Sequence, residues 1–121
     1  MGITLRVEVY YNLHKKTFSV RALEGENRGR VIAHTNEVAL EDVKFVVRES
    51  GRQKVLKEKC KNVHAFVRGN LVDGIKFETN GLATYNPYRY STFVNKETKD
   101  PVYESKSVLM LNYPYPEILY A

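Results

Sequence analysis

The sequence predicts an α+β fold: a mainly antiparallel β-sheet, one short amphipathic helix over about residues 50–61 packed on a face, and a Tyr-rich β-hairpin extension at the C-terminus. Three observations predict it. Apolar and polar residues alternate through most of the first half, the pattern of half-buried strands. A single segment, beginning at Ser50, breaks that alternation with a helical period. The last third is rich in tyrosine and proline and carries no helical pattern.

The strands follow in order. Ile3, Leu5, Val7 and Val9 alternate with Thr4, Arg6, Glu8 and Tyr10, which reads as a strand. Asn12 to Lys16 is a polar stretch of hairpin-loop length, and Thr17 to Leu23 returns with Phe18, Val20 and Ala22 on one face. EGENRGR (24–30) is a loop. RVIAHT (30–35) is a third strand, Asn36-Glu37 a turn, and Val38 with Leu40 begins a fourth strand. The apolar positions then change parity, from 38 and 40 to Val43, Phe45 and Val47. A regular strand would turn its core face outward there, so a bulge or turn is expected near Glu41-Asp42.

SGRQ (50–53) has the spacing of a capping box, with Ser50 as N-cap and Gln53 three positions on. The helix should run to about Lys61 and end at Asn62. At about 100° per residue, Val55, Leu56 and Cys60 face the sheet, and Lys54, Lys57 and Lys61 lie on the opposite side. Arg52 and Lys59 fall in the apolar arc, where their stems can lie along the core with their charged heads in water. Asn62 to Gly69 reads as strand with Val63, Ala65 and Val67 on one face. Another strand over residues 71–78 should break at Asp73-Gly74. Further on, Tyr88 to Val94 and Val102 to Leu111 read as strands around a polar turn, NKETKD (95–100). Pro114 and Pro116 argue against helix, and against a central strand, in the tail. One domain, 1–121, accounts for all of this, with 1–79 as the α+β core and 80–121 as a Tyr/Pro-rich hairpin and tail.

Composition narrows the function. Nineteen Lys and Arg against 14 Asp and Glu give a formal charge of +5, and the pI is about 9.3. Such a balance leans towards nucleic acid, phosphate or an acidic protein surface. A single cysteine, Cys60, allows neither an intramolecular disulfide nor a cysteine metal cluster. It lies on the core side of the helix, where cysteine behaves as a small hydrophobe. The start of the chain has no leader pattern and no apolar run approaches membrane length, so a cytoplasmic protein is expected.

No catalytic, metal-binding or cofactor-binding constellation emerges. His14, His34 and His64 are dispersed, with no H-E-x-x-H spacing, and His64 reads as a structural or surface histidine. Phosphate-binding glycine loops are missing. Asp73 and Glu78 beside the basic surface leave a small metal-dependent nuclease as the least favoured reading.

Two candidate binding surfaces remain. Arg48, Arg52, Lys54, Lys57, Lys61 and Arg68 could contact nucleic-acid phosphates, mainly through the backbone, since no side-chain cluster is arranged for base edges. The plainer reading of the lysine face is a solvated helix surface. Tyr85, Tyr88, Arg89, Tyr90, Tyr113, Tyr115 and Tyr120 could form a protein interface, where Tyr and Arg serve as anchors. Their plainer reading is packing along strands with hydroxyls in water.

The segments VEVYYNLHKKTFSVRALEG, GRVIAHTNEV and FVVRESGRQKVLKEKCKNVHAFVRG resemble a family of small uncharacterised proteins encoded by tailed bacteriophages and prophages. The likeness covers roughly residues 6–72 and leaves out the Tyr-rich last third. It implies an accessory protein that works by binding, in the host bacterial cytoplasm. The partner expected is a host protein or nucleoprotein complex, with inhibition of a host enzyme or defence complex as the outcome. DNA or RNA is the alternative partner.

Overall fold

The computed structural model describes residues 5–73 and 81–121. Among these residues nine strands and one helix follow in the order β1 (Leu5–Asn12), β2 (Thr17–Ala22), β3 (Val31–Thr35), β4 (Glu37–Val47), α1 (Glu49–Glu58), β5 (Ala65–Val72), β6 (Gly81–Thr84), β7 (Val94–Asn95), β8 (Glu104–Asn112) and β9 (Pro116–Tyr120). All nine strands join one antiparallel sheet, ordered β3-β2-β1-β5-β4-β8-β9-β6-β7. The expected α+β class is what forms.

The first hairpin is set by its turn. Asn12 Oδ1 accepts from the backbone N–H of His14 and of Lys15, an Asx turn, and Lys16 adopts a left-handed φ of 56°. Strand alternation then places Val7, Val9, Phe18 and Val20 in one core with Leu40, Val67, Val108 and Met110.

The parity change in β4 is a bulge, as its sequence predicts. Glu41 pairs with Asn70 and Lys44 with Arg68, so Asp42 and Val43 together oppose Gly69. Asp42 takes a φ of 53°. Gly69 is required there: a Cβ would lie 3.0 Å from the Glu41 carbonyl oxygen and 3.1 Å from Val43. Arg6 clamps the bulge, donating to the Asp42 carbonyl and to Asn70 Oδ1.

The helix begins two residues earlier than the capping box places it. Arg48 is the N-cap, without a side-chain cap bond, and Ser50 lies inside the first turn. The reason is the strand before it: the Arg48 N–H still pairs with the His64 carbonyl, so β4 dictates where helix can begin. Gln53 Nε2 donates to Glu49 Oε1, in place of the capping-box bond in which Gln53 Oε1 would accept from the Ser50 N–H. The helix also ends earlier than Lys61, at Lys59, whose φ of 57° and N–H to the Val55 carbonyl close the last turn. Val55 is its buried residue. Val63 precedes β5 and is exposed, while Phe66 and Val67 are both buried.

In the last third, Tyr88 to Val94 is mostly turn, and only Val94–Asn95 is strand. NKETKD is a turn as expected, with Asn95 Oδ1 accepting from Glu97 and Thr98 N–H. The tail differs most. β9 is an interior strand between β8 and β6. Pro116 is its first residue, a place where the missing N–H is tolerated. The Tyr113–Pro114 bond is cis. Of the expected strand over 71–78, Leu71 and Val72 extend β5, Asp73 is a bend after it, and 74–78 lie outside the described residues. Among the described residues no helix is long and apolar enough to cross a membrane.

Candidate functional site

The curved sheet leaves two features, one on each face. On the inner face is a groove of about 890 Å³. Phe18 and Val67 line it from one part of the sheet, Ala83, Met110 and Ile118 from another, so the sheet wraps around it. The first hairpin bends towards the far strands: Asn112 Nδ2 donates to the Lys16 carbonyl and to Asn36 Oδ1. Over the groove lie the end of α1 and the segment after it, from Lys59 to His64, and the turn at Pro87-Tyr88.

Packing fixes that cover. Gly51 of the helix presses on His64, where a Cβ would come to 2.6 Å from the His64 Cβ. Arg52 Nε donates to the carbonyls of Pro87 and Tyr90, and its Nη1 pairs with Glu49 at 2.9 Å. His64 is buried. Its Nδ1 lies 2.7 Å from the Asn62 carbonyl, which can only accept, so Nδ1 carries the proton. In the neutral ring Nε2 then accepts from the Tyr85 hydroxyl, also at 2.7 Å. Tyr85 in turn packs on Phe93, ring centroids 5.3 Å apart. Burial pushes the Tyr85 phenol up from 10.0 to about 12. Both ring nitrogens of His64 are thus engaged structurally, which fits the structural role expected of it.

The groove is mostly apolar, and its mouth exposes Leu13, Val63 and Tyr88. Among the described residues its fixed charges are Lys59 and Lys61, with His14 beside them, and no Asp or Glu lines it. Lys59 Nζ sits 5.6 Å from the Tyr88 ring centroid.

On the outer face, Glu8 is 1% exposed and meets three guanidinium groups. Arg21 Nη1 is 3.1 Å from Oε1, Arg48 Nη2 is 3.5 Å from Oε1, and Arg68 Nη2 is 3.0 Å from Oε2. Arg21 and Arg68 arrive by register, since each lies opposite Glu8 on a neighbouring strand. Arg48 stacks over Phe66 at 4.5 Å, and Arg21 lies 5.6 Å from the Tyr10 centroid.

The residues singled out in the sequence are therefore dispersed. Of the six cations, Arg48 and Arg68 converge on Glu8. Arg52 ties the helix to the 87–90 turn. Lys54 and Lys57 are exposed on the helix, and Lys61 stands at the groove. Of the tyrosine set, Tyr85 and Tyr88 belong to the groove. Arg89 is exposed beside them, and Tyr90 gives its carbonyl to Arg52. Tyr113 and Tyr115 are exposed in the turn before β9, and Tyr120 accepts from Asn95 Nδ2. His34 is bonded to Ser19 at 2.9 Å and Asp73 is exposed at the end of β5. Glu78 lies outside the described residues. Among the described residues no three His, Cys, Asp or Glu gather in a way that could hold a metal ion. Glu8, Arg21, Leu13 and Val63 went unmarked in the sequence. The pairing of Glu8 with Arg21 was within reach, because the hairpin turn fixes that register.

Fold and site together define a small antiparallel α+β protein with an apolar, basic-rimmed groove. The family model described as Mycobacterium phage L5 gene 82 protein matches residues 1–115. The Gene 82 protein of Mycobacterium phage L5 is 43% identical over 104 residues, covering 80% of this chain and 82% of that protein. The chain belongs to this family of small phage-encoded proteins. The match includes most of the Tyr-rich last third, which the resemblance over residues 6–72 had left out. No solved structure matches the chain.

Proposed function

We propose that this phage protein acts by binding, and that the inner groove takes up a segment of a host protein or nucleoprotein. The observation that carries the reading is the groove's lining: apolar walls, exposed Leu13, Val63 and Tyr88 at the mouth, and fixed charges that, among the described residues, are all positive. Apolar anchors in a concave site supply affinity, and charge at the rim selects the partner. The segment that suits it carries an apolar or aromatic anchor flanked by acidic residues. Occupying such a segment on a host enzyme or defence complex would block it, so inhibition in the host cytoplasm is the natural consequence.

The test uses the full chain as bait in nuclease-treated host lysate, with a photo-crosslinking residue at Val63. A specific host protein should crosslink from that position. Leu13→Asp and Val63→Asp replace exposed side chains and should leave the fold intact while weakening capture about tenfold or more. Undiminished capture by both variants, or capture that nuclease abolishes, would reject the reading.

A further inference from the structure

We propose that Arg21, Arg48 and Arg68 form a phosphate-binding site on the outer face of the sheet, and that it takes the phosphodiester backbone of a nucleic acid. Neutralising Glu8 requires one guanidinium, whereas three reach it, leaving two positive charges in excess. Each guanidinium spends one nitrogen on the carboxylate, and each carries five N–H donors. Arg68 Nε is buried and has no hydrogen-bond partner among the described residues. The other spare donors border solvent, since the side chains of Arg21, Arg48 and Arg68 are 27%, 50% and 33% exposed.

The guanidiniums are also held in place before any ligand arrives. Arg48 and Arg21 lie 4.5 and 5.7 Å from the Phe66 centroid. Glu8 anchors all three, so little side-chain freedom is lost on binding.

The surrounding charge favours a polyanion over a single ion. Arg21, Glu8, Arg68 and Lys44 lie directly opposite one another across β2, β1, β5 and β4, with Glu104 of β8 next beyond Lys44. With strands about 4.8 Å apart, this row is roughly 14 Å long. Arg68 and Lys44 are like charges in register, flanked by Glu8 and Glu104; with Arg21 and Arg48 the cluster holds four cations against two carboxylates, an excess that an external anion relieves. The aromatic residues of the cluster offer no open stacking face: Phe66 is 1% exposed, and Tyr10 is half-buried with Arg21 over its ring and Phe66 against it. Contact is therefore with phosphate and tolerant of sequence. The row offers no apolar anchor of the kind a protein-interface core needs.

The experiment measures fluorescence anisotropy of labelled single-stranded and duplex oligonucleotides, with inorganic phosphate and poly-glutamate as competitors. Arg48→Gln is the main variant, because Arg48 is the most exposed of the three and its loss leaves Arg21 and Arg68 on Glu8. Wild-type binding should weaken steeply as salt rises from roughly 50 to 200 mM. Arg48→Gln should lower affinity about fivefold and flatten the salt slope by about one phosphate contact. Arg48→Lys should keep the slope, and Lys57→Gln on the helix should leave both near wild type. Leu13→Asp and Val63→Asp should also bind oligonucleotide normally, which separates this site from the groove. The proposal is overturned if no oligonucleotide binds at low salt or if Arg48→Gln binds as wild type does. Phosphate binding without oligonucleotide binding overturns the nucleic-acid assignment. Poly-glutamate competing as well as unlabelled oligonucleotide overturns phosphate as the chemistry.

Discussion

Single residues carry the two charge arrangements that matter. Glu8 is an almost fully buried carboxylate among cations, and removing it leaves three guanidiniums repelling one another. Glu8→Ala should destabilise the protein by about 3 kcal/mol, the lower end for breaking a buried pair because the arginines remain partly hydrated. Urea denaturation read by circular dichroism checks it. Tyr85 gives a second expectation. Its phenol titrates near 12 in the folded protein against an ordinary 10.0, so between those values the folded state holds a proton that the unfolded chain has released. Stability therefore declines as pH rises from 10.0 towards about 12. Tyr85→Phe should remove that decline, and should cost about 1–2 kcal/mol at neutral pH because His64 Nε2 loses its donor. Denaturation at a series of alkaline pH values tests both effects. Part of this was legible: the turn between Asn12 and Thr17 sets residues 8 and 21 opposite each other, one acidic and one basic. The approach of Arg68 and Arg48 depended on β5 pairing with β1 across some sixty residues, which no local pattern encodes.

At the scale of the element, local rules and tertiary demands part company in an instructive way. A glycine inside a helix usually weakens it, and Gly→Ala would normally help by about 1 kcal/mol. Gly51→Ala should do the opposite, costing about 1–3 kcal/mol, because the new methyl would meet His64 at 2.6 Å. Thermal melting of the variant decides the sign. Glu49 adds a milder effect at the same end. The Gln53 amide hydrogen bond, helped by Arg52, holds its carboxyl below the usual range. That support is present above the unfolded value and disappears as pH falls through the lower folded one. The β4 bulge was readable because it rests on side-chain parity, a property of the chain itself. The helix boundaries were displaced because pairing of Arg48 with His64 overrode Ser50 as a cap. The tail was misread because proline excludes a strand interior, whereas Pro116 opens its strand.

On the scale of the whole molecule, the sheet order matters more than any one contact. β9 joins β8 to β6, with five register pairs on one side and three on the other. A chain cut after Asn112 should lose β6 and β7 from the sheet along with β9, and with them the groove wall that includes Ala83 and Ile118. Limited proteolysis should then cleave readily after Gly81, where the full chain resists. The topology also makes some strands depend on others. β6 and β7 reach the rest of the sheet only through β9, so until β9 pairs, β8 presents an open edge to other chains. Refolding from denaturant should therefore lose yield to association as the protein concentration rises.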